Sequence, residues 1–118
     1  MSVAENLPSV PAREAERRRT RRVSLGRPIQ YLHGGRVHND VVEEISAGGL
    51  RLRGDHPVPT CGSLKLFVPV PLLDPRRVRM CLVEGLLVWR GSRGAGVRFL
   101  DLPPDSRAPL EEYLRRAT

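Results

Sequence analysis

Short runs of alternating residue types, separated by glycine and proline, are the feature that most restricts the fold of this chain. The clearest run covers residues 64–70, where every second residue is leucine or valine. A period of two places these side chains on one face of a half-buried β-strand. Eleven glycines and eleven prolines in 118 residues cut the rest into segments that suit strands better than a helix bundle. The pattern therefore predicts a mainly β protein of many short strands.

Six strands are predicted on this basis. Gly34 and Gly35 follow the first, and because glycine tolerates positive φ they predict a tight hairpin turn. Gly85 interrupts the fifth, which predicts a bulge or a barrel corner there. Hairpin links make neighbouring strands antiparallel, and closure removes open edges, so we expect a small six-stranded antiparallel β-barrel over residues 28–100. The six predicted strands are residues 29–32, 36–45, 50–53, 64–70, 78–89 and 95–100.

The two ends of the chain differ from this barrel. Residues 1–12 carry prolines and no periodicity, which predicts a flexible arm. Residues 13–27 are rich in arginine, and the stretch 13–22 has no apolar stripe that a core helix would bury. Residues 103–116 predict one C-terminal α-helix, with Leu110, Tyr113 and Leu114 on a common face. Residues 13–118 are thus expected to form a single domain.

Positive charge is concentrated near the N-terminus. The formal net charge is +7, and residues 1–27 hold seven arginines against three glutamates, whereas Lys65 is the only lysine of the chain. The planar guanidinium group binds phosphate and the guanine O6/N7 edge through two parallel hydrogen bonds. The cluster therefore predicts an anionic partner, and a solvated basic tail is the equally weighted alternative.

Several functional classes lack support in the sequence. No run of about 18 apolar residues or apolar signal segment is found, so we expect no membrane span and a cytoplasmic protein. Cys61 and Cys81 stand apart from one another and from histidine, and they are interpreted as small buried hydrophobic residues. No metal or other cofactor is expected. No nucleophile has a base and an orienting acid beside it, so the chain is predicted not to be an enzyme.

Two motifs carry the functional signal. Residues 16–23 read ERRRTRRV, and residues 44–50 read EISAGGL. Together they resemble the PilZ family, which has an RxxxR motif and, a strand or two later, a [D/N]xSxxG motif. Arg18 and Arg22 match the first motif, and Ser46 and Gly49 match the second. Glu44 stands where the family has aspartate or asparagine.

The likeness extends to the end of the chain, since residues 96–100, GVRFL before a helix, are similar to the family's last strand. The resemblance thus covers roughly residues 13–116. The resemblance implies a PilZ-like barrel that binds cyclic di-GMP (c-di-GMP), with no separate cofactor. The implied ligand-binding residues are Arg17, Arg18, Arg22, Glu44, Ser46, Gly48 and Gly49.

Each of these residue types suits the ligand chemically. Arg18 and Arg22 have the geometry to bind guanine or phosphate with two hydrogen bonds each. Glu44 offers acceptors for guanine N1–H and N2–H₂, and the glycines allow backbone N–H groups to approach the ligand. In this family an arginine at the position of Arg17 implies two stacked ligand molecules, which is a hypothesis here.

The implied mechanism is ordering of the N-terminal arginine segment around a dianion, which presents a new surface to a downstream protein of unknown identity. The alternative is a PilZ-like protein–protein adaptor that does not bind nucleotide, because the extra methylene of Glu44 moves its carboxylate by about 1 Å. Nucleic acid is an unlikely partner, since only 4% of residues are aromatic. Trp89 is interpreted as a core or barrel-rim aromatic in preference to a stacking platform.

Overall fold

The computed structural model describes residues 21–54, 59 and 62–117, which form a closed antiparallel barrel of six strands with one C-terminal helix. The strand order around the barrel is β1-β2-β3-β6-β5-β4. This confirms the predicted fold class. Residues 1–12, Arg17 and Arg18 lie outside the described residues. The elements are β1 (Val23–His33), β2 (Arg36–Ile45), β3 (Gly49–Leu52), β4 (Ser63–Pro71), β5 (Val78–Gly91), β6 (Gly94–Asp101) and α1 (Pro104–Ala117).

The start of the first strand was predicted wrongly. β1 begins at Val23 and not near Pro28, so part of the arginine-rich segment is already sheet. Gly26 has a φ of 63°, and the register with β2 shifts between Ser24 and Arg27. Glycine and proline looked like strand breakers in the sequence, but a β-bulge absorbs the irregularity. The C-terminal part of the arginine-rich segment is therefore paired with β2 from Val23 onwards.

Two predicted turn features are confirmed. Gly34 and Gly35 connect β1 to β2 with φ values of 59° and 79°, as a two-residue hairpin turn with positive φ at both positions requires. At Gly85 the register between β5 and β6 shifts, which is the predicted bulge. A Cβ atom at Gly85 would lie 2.5 Å from Val97 Cγ1, so β5 and the β6 side chains approach too closely there for any other residue.

Alternate residues of all six strands fill the barrel interior. Cys81 is 3% exposed, which confirms its interpretation as a buried residue, and burial raises the pKa of its thiol. Asp40 is a buried carboxylate that accepts hydrogen bonds from the backbone N–H groups of Val41 (2.7 Å) and Gly54 (3.1 Å). Burial, and then the negative charge of Asp40, raise the pKa of Tyr31. The largest fully buried side chains are Tyr31, Val42, Ile45, Leu52, Leu64, Leu66, Val68 and Val70.

Helix α1 packs on the barrel through the face predicted from sequence. Leu110 is 2% exposed and belongs to the core, and Tyr113 and Leu114 pack against it. The Ser106 hydroxyl donates to the Leu82 carbonyl oxygen at 2.9 Å, which fixes the first turn of the helix to β5. No helix among the described residues is long and apolar enough to cross a membrane.

Candidate functional site

Strand register places five residues, one from each of five strands, in a row on one outer surface of the barrel. Ser24 on β1 is opposite Glu44 on β2, and Glu44 is opposite Arg51 on β3. Arg51 is in turn opposite Gly96 on β6, and Gly96 is opposite Trp89 on β5. Directly opposed residues in antiparallel strands share a face. The row therefore crosses five strands, from the start of β1 to the end of β5.

Glu44 lies between two arginines. Its Oε1 atom is 3.7 Å from Arg22 Nη1 and 3.6 Å from Arg51 Nε. The side chain of Glu44 is 33% exposed, and that of Arg51 is 30% exposed, so both groups are partly removed from water. Partial burial strengthens ion pairs of this length relative to fully solvated ones. Both guanidinium groups therefore lie at ion-pair distance from the carboxylate beside the cleft, with Arg51 the more buried of the two and Arg22 64% exposed.

The turn after β2 is closed by Ser46, which is 7% exposed. Its backbone N–H donates to the Gly49 carbonyl oxygen at 2.8 Å, and its hydroxyl donates to the same oxygen at 3.3 Å. The hydroxyl also accepts the Gly48 N–H at 3.2 Å. The described contacts of the Ser46 hydroxyl therefore lie within the turn, and they shape the loop that forms one wall of the site.

Gly49 is required by the approach of two strands. A Cβ atom at this position would lie 2.1 Å from the Val97 carbonyl oxygen. Gly49 pairs with Arg98, and Gly48 accepts a hydrogen bond from the Phe99 N–H at 2.8 Å. Close packing of β6 on this turn thus gives the glycine a structural reason in addition to the ligand approach that was predicted.

These residues surround a cleft of ≈ 280 Å³ on the barrel surface. Trp89 forms its far wall and is 43% exposed. The indole lies over Gly96, where a Cβ atom would be only 2.1 Å from Trp89 Nε1. Trp89 is therefore not a core residue; its exposed position near the end of β5 is compatible with the barrel-rim aromatic that was also predicted, and a stacking role stays a prediction. The cleft is lined by Arg22, Glu44, Ile45, Ser46, Gly48, Gly49, Leu50, Arg51, Val88, Trp89, Val97 and Arg98.

Of the seven predicted site residues, five meet at this cleft. Arg17 and Arg18 fall outside the described residues, and their role stays a prediction. Arg51 and Arg98 are cleft residues that the sequence did not single out, and Trp89 is one that it had not assigned to the site. The alternation of residues 50–53 indicated that Arg51 faces away from the core. Only the register with β2 and β6, however, places it beside Glu44.

A family model described as the PilZ domain matches residues 16–116. The chain belongs to the PilZ family. PilZ domains are regulatory or receptor domains and not catalytic ones. A sequence comparison with curated proteins finds no match.

Solved structures that resemble the fold include two bacterial proteins. One is the Bacillus subtilis Inhibitor of motility (MotI/DgrA), with a TM-score of 0.61 and 18% identity over 80% of this chain. The other is the Borreliella burgdorferi PlzA protein in complex with c-di-GMP, with a TM-score of 0.51 and 12% identity over 85% of this chain. The match covers 48% of the first protein and 36% of the second, so this PilZ chain spans about half of their length or less.

Proposed function

We propose that this PilZ protein is a c-di-GMP receptor or adaptor whose ligand occupies the cleft between Arg22, Glu44 and Trp89. The observation that carries the proposal is that residues of both family motifs, far apart in sequence, meet at one cleft. Arg22 comes from the first motif, and Glu44, Ser46 and Gly49 come from the second. The complex of PlzA, a protein of similar fold, with c-di-GMP supports this choice of ligand.

The cleft has matching groups for each part of the ligand. Its arginines, Arg22, Arg51 and Arg98, suit the two phosphates and the O6/N7 edge of guanine. The Glu44 carboxylate accepts from guanine N1–H and N2–H₂, the donor edge that adenine lacks. The exposed indole of Trp89 provides a face for a base to stack on.

Glu44 stands where the family has aspartate or asparagine, and its neighbouring arginines favour the longer side chain. A longer side chain has more rotamers to restrict, which costs conformational entropy. Arg22, just before β1, and Arg51, on β3, contact the same oxygen of Glu44, and these contacts favour one position of the head group. We therefore propose that Glu44 is fitted to this site and does not abolish binding.

Signal transfer is proposed to pass through the N-terminal segment. Arg22 already contacts Glu44, and β1 begins at the next residue. A bound dianion would neutralise Arg17, Arg18 and Arg22 together and order the segment against the barrel, which a downstream protein then recognises. Hydrogen exchange over residues 13–27 tests this step, and protection that does not change with ligand would refute it.

Calorimetric titration with c-di-GMP tests the receptor. We expect saturable binding by the wild type and a loss of at least about tenfold in Arg18→Ala and Arg22→Ala, since charge-assisted hydrogen bonds contribute about 1.5–3 kcal/mol each. Arg36→Ala, on the hairpin between β1 and β2, is the matched control and keeps full affinity. Absence of wild-type binding at about 100 µM ligand would instead favour the nucleotide-independent adaptor. The measured stoichiometry decides between one and two ligand molecules.

A further inference from the structure

The outer surface of β5 is unusually apolar. Cys81 and Val83 point into the barrel and are each 3% exposed, as the alternation of a strand requires. The outward positions between and before them are Val78, Met80 and Leu82, which are 37%, 58% and 51% exposed. An antiparallel sheet with one solvated face normally carries polar residues at such positions. These three side chains break that pattern on a single strand.

The neighbouring strand extends the apolar surface. Register pairs Leu82 with Phe67, Met80 with Pro69, and Val78 with Pro71, so each outward residue of β5 has an apolar partner on β4. Contiguous exposed apolar patches on a folded domain mark interaction sites more often than isolated residues do. We call this surface the β4–β5 face: it exposes Phe67, Val78, Met80 and Leu82, whereas the paired Pro69 and Pro71 of β4 are buried.

Charges of both signs border the β4–β5 face. Met80 and Leu82 line a surface cleft of ≈ 490 Å³, which lies apart from the arginine-rich cleft. Two cations and three acids surround it, in a chain whose formal net charge is +7. The border along this cleft is therefore slightly acidic, while Arg77 and Arg116 stand at the opposite end of the face, beside Val78 and Pro71. The charged residues of this border are Lys65, Arg79, Glu84, Asp101 and Asp105.

We propose that the β4–β5 face binds a second copy of this chain as a two-fold symmetric dimer. In such an interface the same patch occurs on both partners, so a border with both signs can pair its cations with the acids of the other copy. Two copies with a net charge of +7 repel one another, and the three carboxylates beside Met80 and Leu82 reduce that repulsion at this face. A polyanionic partner such as nucleic acid would meet three carboxylates here.

Sedimentation velocity from low to high micromolar concentration tests the proposal on the full chain. We expect the wild type to dimerise and Met80→Lys/Leu82→Lys to weaken the dimer at least tenfold, because two desolvated charges would enter the interface. Val37→Lys/Leu73→Lys is the matched control. It makes the same change at residues that are 60% and 81% exposed outside the face, and it should dimerise like the wild type.

Three outcomes overturn the dimer. They are a wild type that stays monomeric at all concentrations, an equal loss in the control variant, and an unchanged dimer in Met80→Lys/Leu82→Lys. A second variant, Met80→Gln/Leu82→Gln, guards against unfolding by lysine, and it should also weaken the dimer while keeping the circular dichroism spectrum of the wild type. The dimer does not depend on c-di-GMP binding, and the two proposals therefore stand or fall separately.

Discussion

Two outer faces of the barrel differ in the chemistry of their side chains, although both are built from antiparallel strands of the same sheet. Around the arginine-rich cleft, outward positions hold Glu44, Arg51 and Arg98, with glycine at position 96 leaving room for an indole. On the β4–β5 face, outward positions hold leucine, methionine, phenylalanine and proline. Inward positions are apolar under both. The comparison teaches that the inner residues of this barrel specify the fold, while the outer residues distinguish a polar ligand site from an apolar contact surface.

The largest expected effect is a loss of stability when the close packing of β3 on β6 beside the cleft is disrupted. In Gly49→Ala the new methyl group would meet the Val97 carbonyl oxygen, which is backbone and cannot rotate away. We expect a loss of about 3 kcal/mol in the free energy of unfolding, measured by urea denaturation. Gly91→Ala, where no atom lies within 4 Å of the added Cβ, is the control. Equal stability of the two variants would show that β3 and β6 tolerate a wider spacing.

The next largest effect is expected from removing the indole of Trp89, the exposed aromatic side chain of the cleft. Trp89→Leu should weaken c-di-GMP binding about tenfold, because stacking of a base on an aromatic side chain contributes about 1–3 kcal/mol. Trp89 is the only tryptophan of the chain, so its fluorescence should also change on titration of the wild type. Leu82→Ala, on the β4–β5 face, serves as the control and should bind normally. Full affinity of Trp89→Leu would assign the indole to packing over Gly96 alone.

A smaller effect concerns the position of the Glu44 carboxylate. Arg51→Ala should weaken c-di-GMP binding in the wild type but have less effect in Glu44→Asp, whose shorter side chain no longer reaches Arg51. We expect a coupling of about 1 kcal/mol in a double-mutant cycle of dissociation constants. Arg53→Ala is the control, since Arg53 pairs with Glu43 instead. Additive losses would mean that Arg51 acts on the ligand independently of Glu44.

The smallest expected effect is a pH dependence of stability that comes from Tyr31, in the barrel interior. Burial raises the pKa of Tyr31 above its ordinary value of 10.0, so the neutral phenol stabilises the fold below that pH and the contribution disappears as pH rises through the raised pKa. Thermal unfolding temperatures of the wild type should therefore fall above pH 10. In Tyr31→Phe the decline should be shallower, and identical pH profiles would contradict the assignment.

Much of the fold followed from local patterns. Gly34-Gly35 predicted the hairpin, Gly85 predicted the bulge, and the helix was predicted within one residue of its bounds, because each depends on residues close in sequence. The start of β1 was predicted wrongly at Pro28, since a bulge at Gly26 compensates for a local irregularity through pairing with β2. The cleft was predicted in part, through the motif residues Arg22, Glu44 and Ser46.

The sequence by itself determined which residues face inward and which motifs the chain carries, because alternation and motif spacing are local properties. The tertiary structure alone decided which outward residues are neighbours. Arg51 comes beside Gly96 only through the pairing of β3 with β6, and the long separation between these two strands leaves no local signal of their register, whereas Trp89 reaches Gly96 across the short β5–β6 hairpin. Strand pairing is a cooperative property of the closed barrel, so the cleft emerges only when the barrel closes, whereas the β4–β5 face follows from pairing within one hairpin.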